Sequence, residues 1–319
     1  VSSSVIQILI AALKEAVHHK SDEIKKSLAC YYLGRVITSW SCDTNLFCNL
    51  LNILLDLCSD YDDVKNKNGN ILSESAMYAL IECGKCSPHI FIKVMGAQAL
   101  QISKRGRHSK ALLCLERLIY TEPLTLLKYI PFTIRTIIKC LDPSSPQKRK
   151  ALLESTTRTL HALVHQFPNC SFHSKTQHFA ICINNYVEEE NAKESNNNNN
   201  SNNHMCGIVI YDLRTATQFG KVLKQHKAII TAIEFNHDGK YLVSYSAYEK
   251  PKPVLCCWKL NTNEGVLGFF GSQSKCIKLI ELEALSVALK PSQHIENTQL
   301  TWDPVQRNQV RLQREDKSV

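Results

Sequence analysis

Cys83-Gly84-Lys85-Cys86, with His89 three residues on, is the first cluster in this sequence whose residue types could do chemistry, as half of a zinc site or as a redox pair. A structural zinc takes four ligands, and neither a second Cys-x-x-Cys nor a closely spaced His pair completes this set. A redox pair would sit beside a β-α-β pattern, which the flanking residues lack. The cluster therefore reads as the end of a helix. His161 and His165 stand four apart and would share one helix face, but a metalloprotease motif needs a Glu after its first His, and Ala162 stands there. The basic runs Lys104-Arg105-Gly106-Arg107-His108-Ser109-Lys110 and Gln147-Lys148-Arg149-Lys150 read as solvated turns, with docking to acidic protein or lipid headgroups as the functional alternative. Nucleic acid would need aromatic or base-reading side chains among the charges, and neither run supplies them. Gly-rich phosphate loops and local Ser/His/Asp signatures are absent, so no catalytic residue, cofactor or metal is assigned.

The 319 residues allow about two domains at roughly 100–200 residues each to carry these side chains. A hydrophobic share of 44% and a charged share of 21% match an ordinary globular chain. No run approaches the ~18 apolar residues of a membrane span. The chain starts at Val1, without a basic segment, apolar run and cleavage site, and is read as the later part of a longer protein with no targeting segment of its own. A net charge of +9 permits acidic partners without demanding nucleic acid. Of the 14 cysteines, half (Cys30, Cys48, Cys58, Cys114, Cys140, Cys182, Cys257) lie in clear apolar periodic stretches, as small hydrophobes in a reducing compartment do.

Residues 1–168 read as consecutive amphipathic helices. Val5, Leu9, Leu13 and Val17 form one row, Ile24, Leu28, Tyr32 and Val36 a second, and Leu46, Leu50, Ile53, Leu54 and Leu57 continue the pattern. A loop from Asp60 to Asn70 precedes a helix near 72–82 that ends close to Gly84. Ser87-Pro88, Thr121-Glu122-Pro123 and Ser145-Pro146 announce helix starts, Pro sitting where its missing N–H costs nothing. Pro131 is expected to kink the helix carrying Leu126, Ile130, Ile134 and Ile138. The last helix carries Leu153, Thr156, Leu160 and Val164 before Phe167-Pro168. Helix pairs recurring at about forty residues suit a HEAT- or armadillo-like solenoid, with an irregular bundle as the alternative.

Beyond Pro168 the period becomes two. Gln177–Ile183 and Gly207–Leu213 alternate like half-buried strands, and between them residues 188–205 hold an Asn tract expected to be a disordered insertion. From Gln225 onward the order is specific: His226, a strand at Ile229–Phe235, the turn His237-Asp238-Gly239-Lys240, a strand at Tyr241–Ser246, a Pro-containing loop and a strand at Val254–Leu260 that holds Trp258. This order resembles a WD40 blade, and the resemblance implies a buried hydrogen-bonded network of His226, Ser246 and Trp258. The network's Asp is not filled, since Tyr248 and Glu249 occupy that region, and Lys259 replaces the final Asp of the Trp-Asp pair. A preceding blade ends at Tyr211-Asp212, keeping the Asp and exchanging Trp for Tyr. The fold class expected is thus α + β multidomain: a helical array at 1–168, then the last blades of a WD40 propeller at 169–319. The blades lie at about 169–215 and 216–262, with a remnant at 263–319 that has strand-like segments at Cys276–Ile280 and Gln309–Gln313. Propellers need about four to eight blades, so the others are expected upstream of Val1 or on another chain.

Gly207-Ile208-Val209-Ile210-Tyr211-Asp212-Leu213-Arg214-Thr215, the run Gln225–Ala232, His237–Leu242, Ser274–Lys278 and Leu300-Thr301-Trp302 together resemble the C-terminal end of the rabconnectin beta-subunit family of WD-repeat proteins, over about residues 205–305. The Asn insertion and the Lys250-Pro251-Lys252-Pro253 loop depart from that pattern. The resemblance implies a cytoplasmic, non-catalytic scaffold at endosomal or secretory vesicle membranes. With a second large WD-repeat subunit, such a scaffold regulates assembly and activity of the vacuolar proton pump. A coat or vesicle-trafficking scaffold is the alternative on the same architecture.

Overall fold

A computed structural model of the protein describes residues 7, 8, 10, 11, 23–37, 44–59, 67–101, 106–183, 206–249, 252–260, 274–283, 298–306 and 309–314. The Val5-to-Val17 row, most of the first basic run's start and the Asn tract lie outside them. The chain divides into two compact units, Val1–Ala162 and Leu163–Val319, a few residues ahead of the boundary read at 168. No helix among the described residues is long and apolar enough to cross a membrane.

The first unit is a helical array: α1 (Glu23–Ile37), α2 (Thr44–Ser59), α3 (Lys67–Cys86), α4 (Pro88–Ala99), α5 (Arg107–Thr121), the single turn α6 (Pro123–Leu126), α7 (Ile130–Ile138) and α8 (Pro146–Gln166), which crosses into the second unit. In α2, Leu50, Leu54 and Leu57 of the expected row are buried while Leu46 and Ile53 are half-buried, and Phe47, Leu51, Leu55 and Cys58 widen the buried face. The row assigned to α1 is corrected. Ile24 is 62% exposed and Tyr32 57%, while Lys26, Cys30, Leu33 and Ile37 form the buried face. α1 is apolar on more than one side, and its packing on α3 selects the row that periodicity alone could not.

Proline marks the helix starts at Pro88, Pro123 and Pro146, although Ser87 makes no side-chain cap. Pro131 breaks a helix where a kink was expected. The chain passes through a 3-10 turn at Leu127–Tyr129, and Pro131 sits in the first turn of α7, where no intrahelical hydrogen bond is lost. The end of the expected 60–70 loop is already helical, since α3 begins at Lys67. Arg117 of α5 reaches Glu74 of α3 through both nitrogens (3.0 and 3.3 Å). Where α4 meets α7, Gly96 lies so close to the Thr136 methyl that any Cβ would collide with it.

In the second unit the strand pairs within each sheet are antiparallel among the described residues. β1 (Cys170–His173), β2 (His178–Ile183), β3 (Gly207–Asp212) and β4 (Thr217–Gln218) form one four-stranded sheet in chain order; β5 (Ala232–Phe235), β6 (Tyr241–Ser246), β7 (Val254–Lys259) and β8 (Lys275–Glu281) form a second; β9 (Thr298–Trp302) and β10 (Val310–Arg314) pair as a hairpin. The first strands lie side by side, β1 against β5 and β5 against β9. The amide of Ile233 donates to Pro168 O at 2.8 Å, closing the β1 side.

Strand alternation sorts the second sheet's side chains onto two faces. Ile233, Phe235, Leu242, Val254, Cys256 and Trp258 pack against Ala180, Cys182, Ile208 and Ile210 of the first sheet. Ala232, Val243 and Tyr245 pack the other way against Leu300, with Trp302, Val310 and Leu312 around them. The second sheet is therefore covered on both faces, and any polar group it carries inward must find a partner there.

Candidate functional site

Ser244 is such a group. It points with Leu242 into the apolar face between the two sheets and is wholly buried. Its Oγ accepts a hydrogen bond from Trp258 Nε1 at 2.8 Å and lies 2.7 Å from His226 Nε2. On the other side of the ring, His226 Nδ1 meets Glu249 Oε1 at 2.6 Å, and the same oxygen accepts the Lys227 amide at 3.1 Å. A carboxylate facing Nδ1 fixes the proton there, so Nε2 accepts the Ser244 hydroxyl proton. Every polar atom of the serine, the imidazole and the indole is then satisfied.

Two expectations are corrected at this point. The serine between His226 and Trp258 is Ser244, not Ser246, whose hydroxyl donates instead to Ile229 O at 2.8 Å. The acidic position thought empty is filled by Glu249, whose longer side chain reaches the imidazole from the β6–β7 turn. β6 register explains the first correction. Trp258 pairs with Leu242, so Ser244 is its diagonal neighbour, while Ser246 lies a further two residues along the same face.

Serine, histidine and carboxylate in this order also match the geometry of a hydrolytic triad. The arrangement lacks access: Ser244 and Thr231 are fully buried, Trp258 is 3% exposed, and the serine oxygen already accepts the indole N–H. Ser244 is closed off from solvent, and through Trp258 and His226 it ties β6, β7 and the chain before β5 together.

Asp238 and Gly239 lie in the β5–β6 turn, apart from that network. Asp238 Oδ1 accepts the Lys240 amide at 2.9 Å, and Gly239 has φ +70°, left-handed backbone that favours glycine. A Cβ on Gly239 would meet His173 Nδ1 at 2.5 Å. His173 itself accepts the Thr176 amide at Nδ1 (3.2 Å), so Nε2–H donates to His237 O at 3.1 Å. His237 Nε2 in turn lies 3.2 Å from Asp303 O, past β9. One turn of each sheet thus bonds to the next.

Tyr211 and Asp212 end β3 in the first sheet, opposite Phe179 and His178, and take no part in the His226 network. Asp212 Oδ1 accepts the Arg214 amide at 2.8 Å. Partial burial pushes this carboxyl up, but the side-chain and backbone hydrogen bonds from Arg214 and its positive charge together hold it below its ordinary value.

Cys83 is buried while Cys86 is exposed at the end of α3, and His89 stacks 4.9 Å from the Phe132 ring. No group of three or more His, Cys, Asp or Glu side chains with metal-holding geometry occurs among the described residues. Every described cysteine is a free thiol, and burial raises Cys30 and Cys114 to about 12. Such thiols pack rather than react. Arg107 of the first basic run is engaged with Asp56 at 2.6 Å and with Asn52 at 2.9 Å. Compared with protein-family models, with curated proteins and with solved structures, the chain matches none.

Proposed function

We propose that the two four-stranded sheets are blades of a WD40 propeller, with β9 and β10 the start of a third, and that the protein is a non-catalytic scaffold. The observation that carries this reading is the buried chain from Glu249 through His226 and Ser244 to Trp258, set between a first strand and a third strand of one four-stranded meander. Such a network stabilises a blade by satisfying polar groups inside it, which is a structural use of residues that elsewhere do chemistry. Adjacent first strands β1, β5 and β9 fit the inner ring of such a propeller. The helical array fits stacked HEAT- or armadillo-like pairs, a common companion surface for partners.

Together with the sequence resemblance over residues 205–305, this supports a specific role: regulating assembly or activity of the vacuolar proton pump, in company with a second large WD-repeat subunit. The site of action proposed is the cytoplasmic face of endosomal or secretory vesicles. Affinity capture of the protein from cell lysate, with mass spectrometry of what co-purifies, tests it. A second large WD-repeat subunit together with pump subunits is the result expected. Recovery of coat components instead would move the scaffold to vesicle trafficking and remove the pump from the account.

A further inference from the structure

Within the second unit a cavity of about 430 Å³ opens between the end of α8, the starts of β1 and β5, and β9. That volume lies at the lower end of the roughly 300–1,000 Å³ typical of small-ligand sites. Glu234 of β5 is its acidic lining residue. Among the described residues the hydrogen bond to this carboxylate comes from Ser171 Oγ, at 3.1 Å to Oε2, and that hydroxyl also accepts the Phe235 amide at 3.3 Å. Among the described residues no lysine or arginine lines the cavity; His165 of α8 and Cys170 of β1 are the other titratable side chains in its lining, and the described part of β9 contributes none.

We propose that this cavity binds an alkylammonium group, as carried by a lysine side chain or by a small free amine. A half-buried carboxylate served by one neutral hydroxyl lacks the opposite charge that usually accompanies such burial. An ammonium supplies it as a point charge at Oε1. A guanidinium fits less well, because its planar fork asks for both oxygens and Ser171 already holds Oε2. Val164 and Pro168, both partly exposed, line the same space and offer apolar surface to a methylene stem, and Gln299 and Thr301 of β9 are among its other lining residues. This inference is independent of the proton-pump reading and stands or falls with the cavity.

Burial raises the Glu234 carboxyl to about 7, the Ser171 hydrogen bond opposing that rise. An alkylammonium keeps its proton throughout this range, so its affinity follows the ionised fraction of Glu234. That fraction rises from about a tenth at pH 6 to about nine tenths at pH 8, roughly a tenfold gain in affinity.

Isothermal titration of the full chain at both pH values, with acetyl-Gly-Lys-Gly-amide, its norleucine counterpart and butylamine, tests the proposal. Expected are tighter binding of the lysine peptide at pH 8 by about tenfold, little binding of norleucine, and loss of the pH dependence in Glu234→Gln. Butylamine binding as tightly as the peptide supports the ammonium site and assigns it to free amines; a tighter peptide assigns it to a protein partner. Equal binding of lysine and norleucine peptides, binding unchanged in Glu234→Gln, or no binding by any probe overturns it. In the unmodified protein, carbon-13 titration of the Glu234 carboxyl gives a readout that needs no variant. The lysine peptide should lower its midpoint, and an unmoved midpoint would contradict the site.

Discussion

Replacing Glu234 by Gln should stabilise the protein, increasingly as pH rises above about 4.5 and in full above about 7. Burial raises this carboxyl from 4.5 to about 7, so the folded state binds its proton more tightly than the unfolded state does. Between those values the folded chain holds more protons, and stability falls as pH rises; the whole penalty is present above about 7 and absent below about 4.5. A rise of roughly 2.5 pKa units corresponds to about 3 kcal/mol, an upper figure for a group that water in the cavity can reach. Gln keeps the shape and the acceptor for Ser171 while removing the charge. Urea unfolding followed by tryptophan fluorescence is a suitable assay, because Trp302 lies against the Glu234 carbonyl and Trp258 is in the core of the same sheet, two of the three tryptophans. The variant should match the parent near pH 4.5 and exceed it by about 2–3 kcal/mol at pH 8. Parallel pH profiles, or a parent more stable at pH 8, would refute the reasoning that the carboxylate is buried without a counter-charge.

Three further outcomes follow from the same geometry. Ser244→Ala orphans the His226 ring nitrogen and the Trp258 indole N–H inside the sheet and should cost about 2–4 kcal/mol by urea unfolding, whereas Ser246→Ala, losing one bond to a carbonyl, should cost about 1 kcal/mol. Gly239→Ala should lower stability by about 1–3 kcal/mol, since its left-handed backbone and its contact with His173 both oppose a Cβ; an unchanged midpoint would mean that the two turns do not touch. Thiol labelling of the native protein at pH 8, read by peptide mass, should modify Cys86 quickly and leave Cys30, Cys58 and Cys114 protected until unfolding.

The strands around Trp258 were legible because three signals coincide there: alternation in β5, β6 and β7, an Asp-Gly turn and a Pro-containing loop. β1 was not, since Cys-Ser-Phe-His carries no β-branched residue, and only its pairing with β2 defines it. Sequence could place the network serine on the right face of β6 but not at the right position. Ser244 and Ser246 share that face, and the choice depends on register with β7, a property of two strands together. Glu249 escaped for a related reason: the blade pattern has an Asp at this place, and the reach of a longer carboxylate from a turn depends on where the turn sits. In α1 the buried row begins with Lys26, which hid it from a reading of apolar spacing. The cavity beside Glu234 had no sequence signal at all, because β5, β9 and the end of α8 meet there from distant parts of the chain.

The central claim is that these sheets are blades of a propeller that serves as a scaffold. Electron cryomicroscopy of the protein purified from cells with its bound partners addresses it most directly. The expected result is a closed ring in which further blades abut the β9–β10 hairpin and the first sheet, with the Glu249–His226–Ser244–Trp258 network intact inside its blade. Density ending at those sheets in solvent, or a sheet arrangement with no ring, would contradict it.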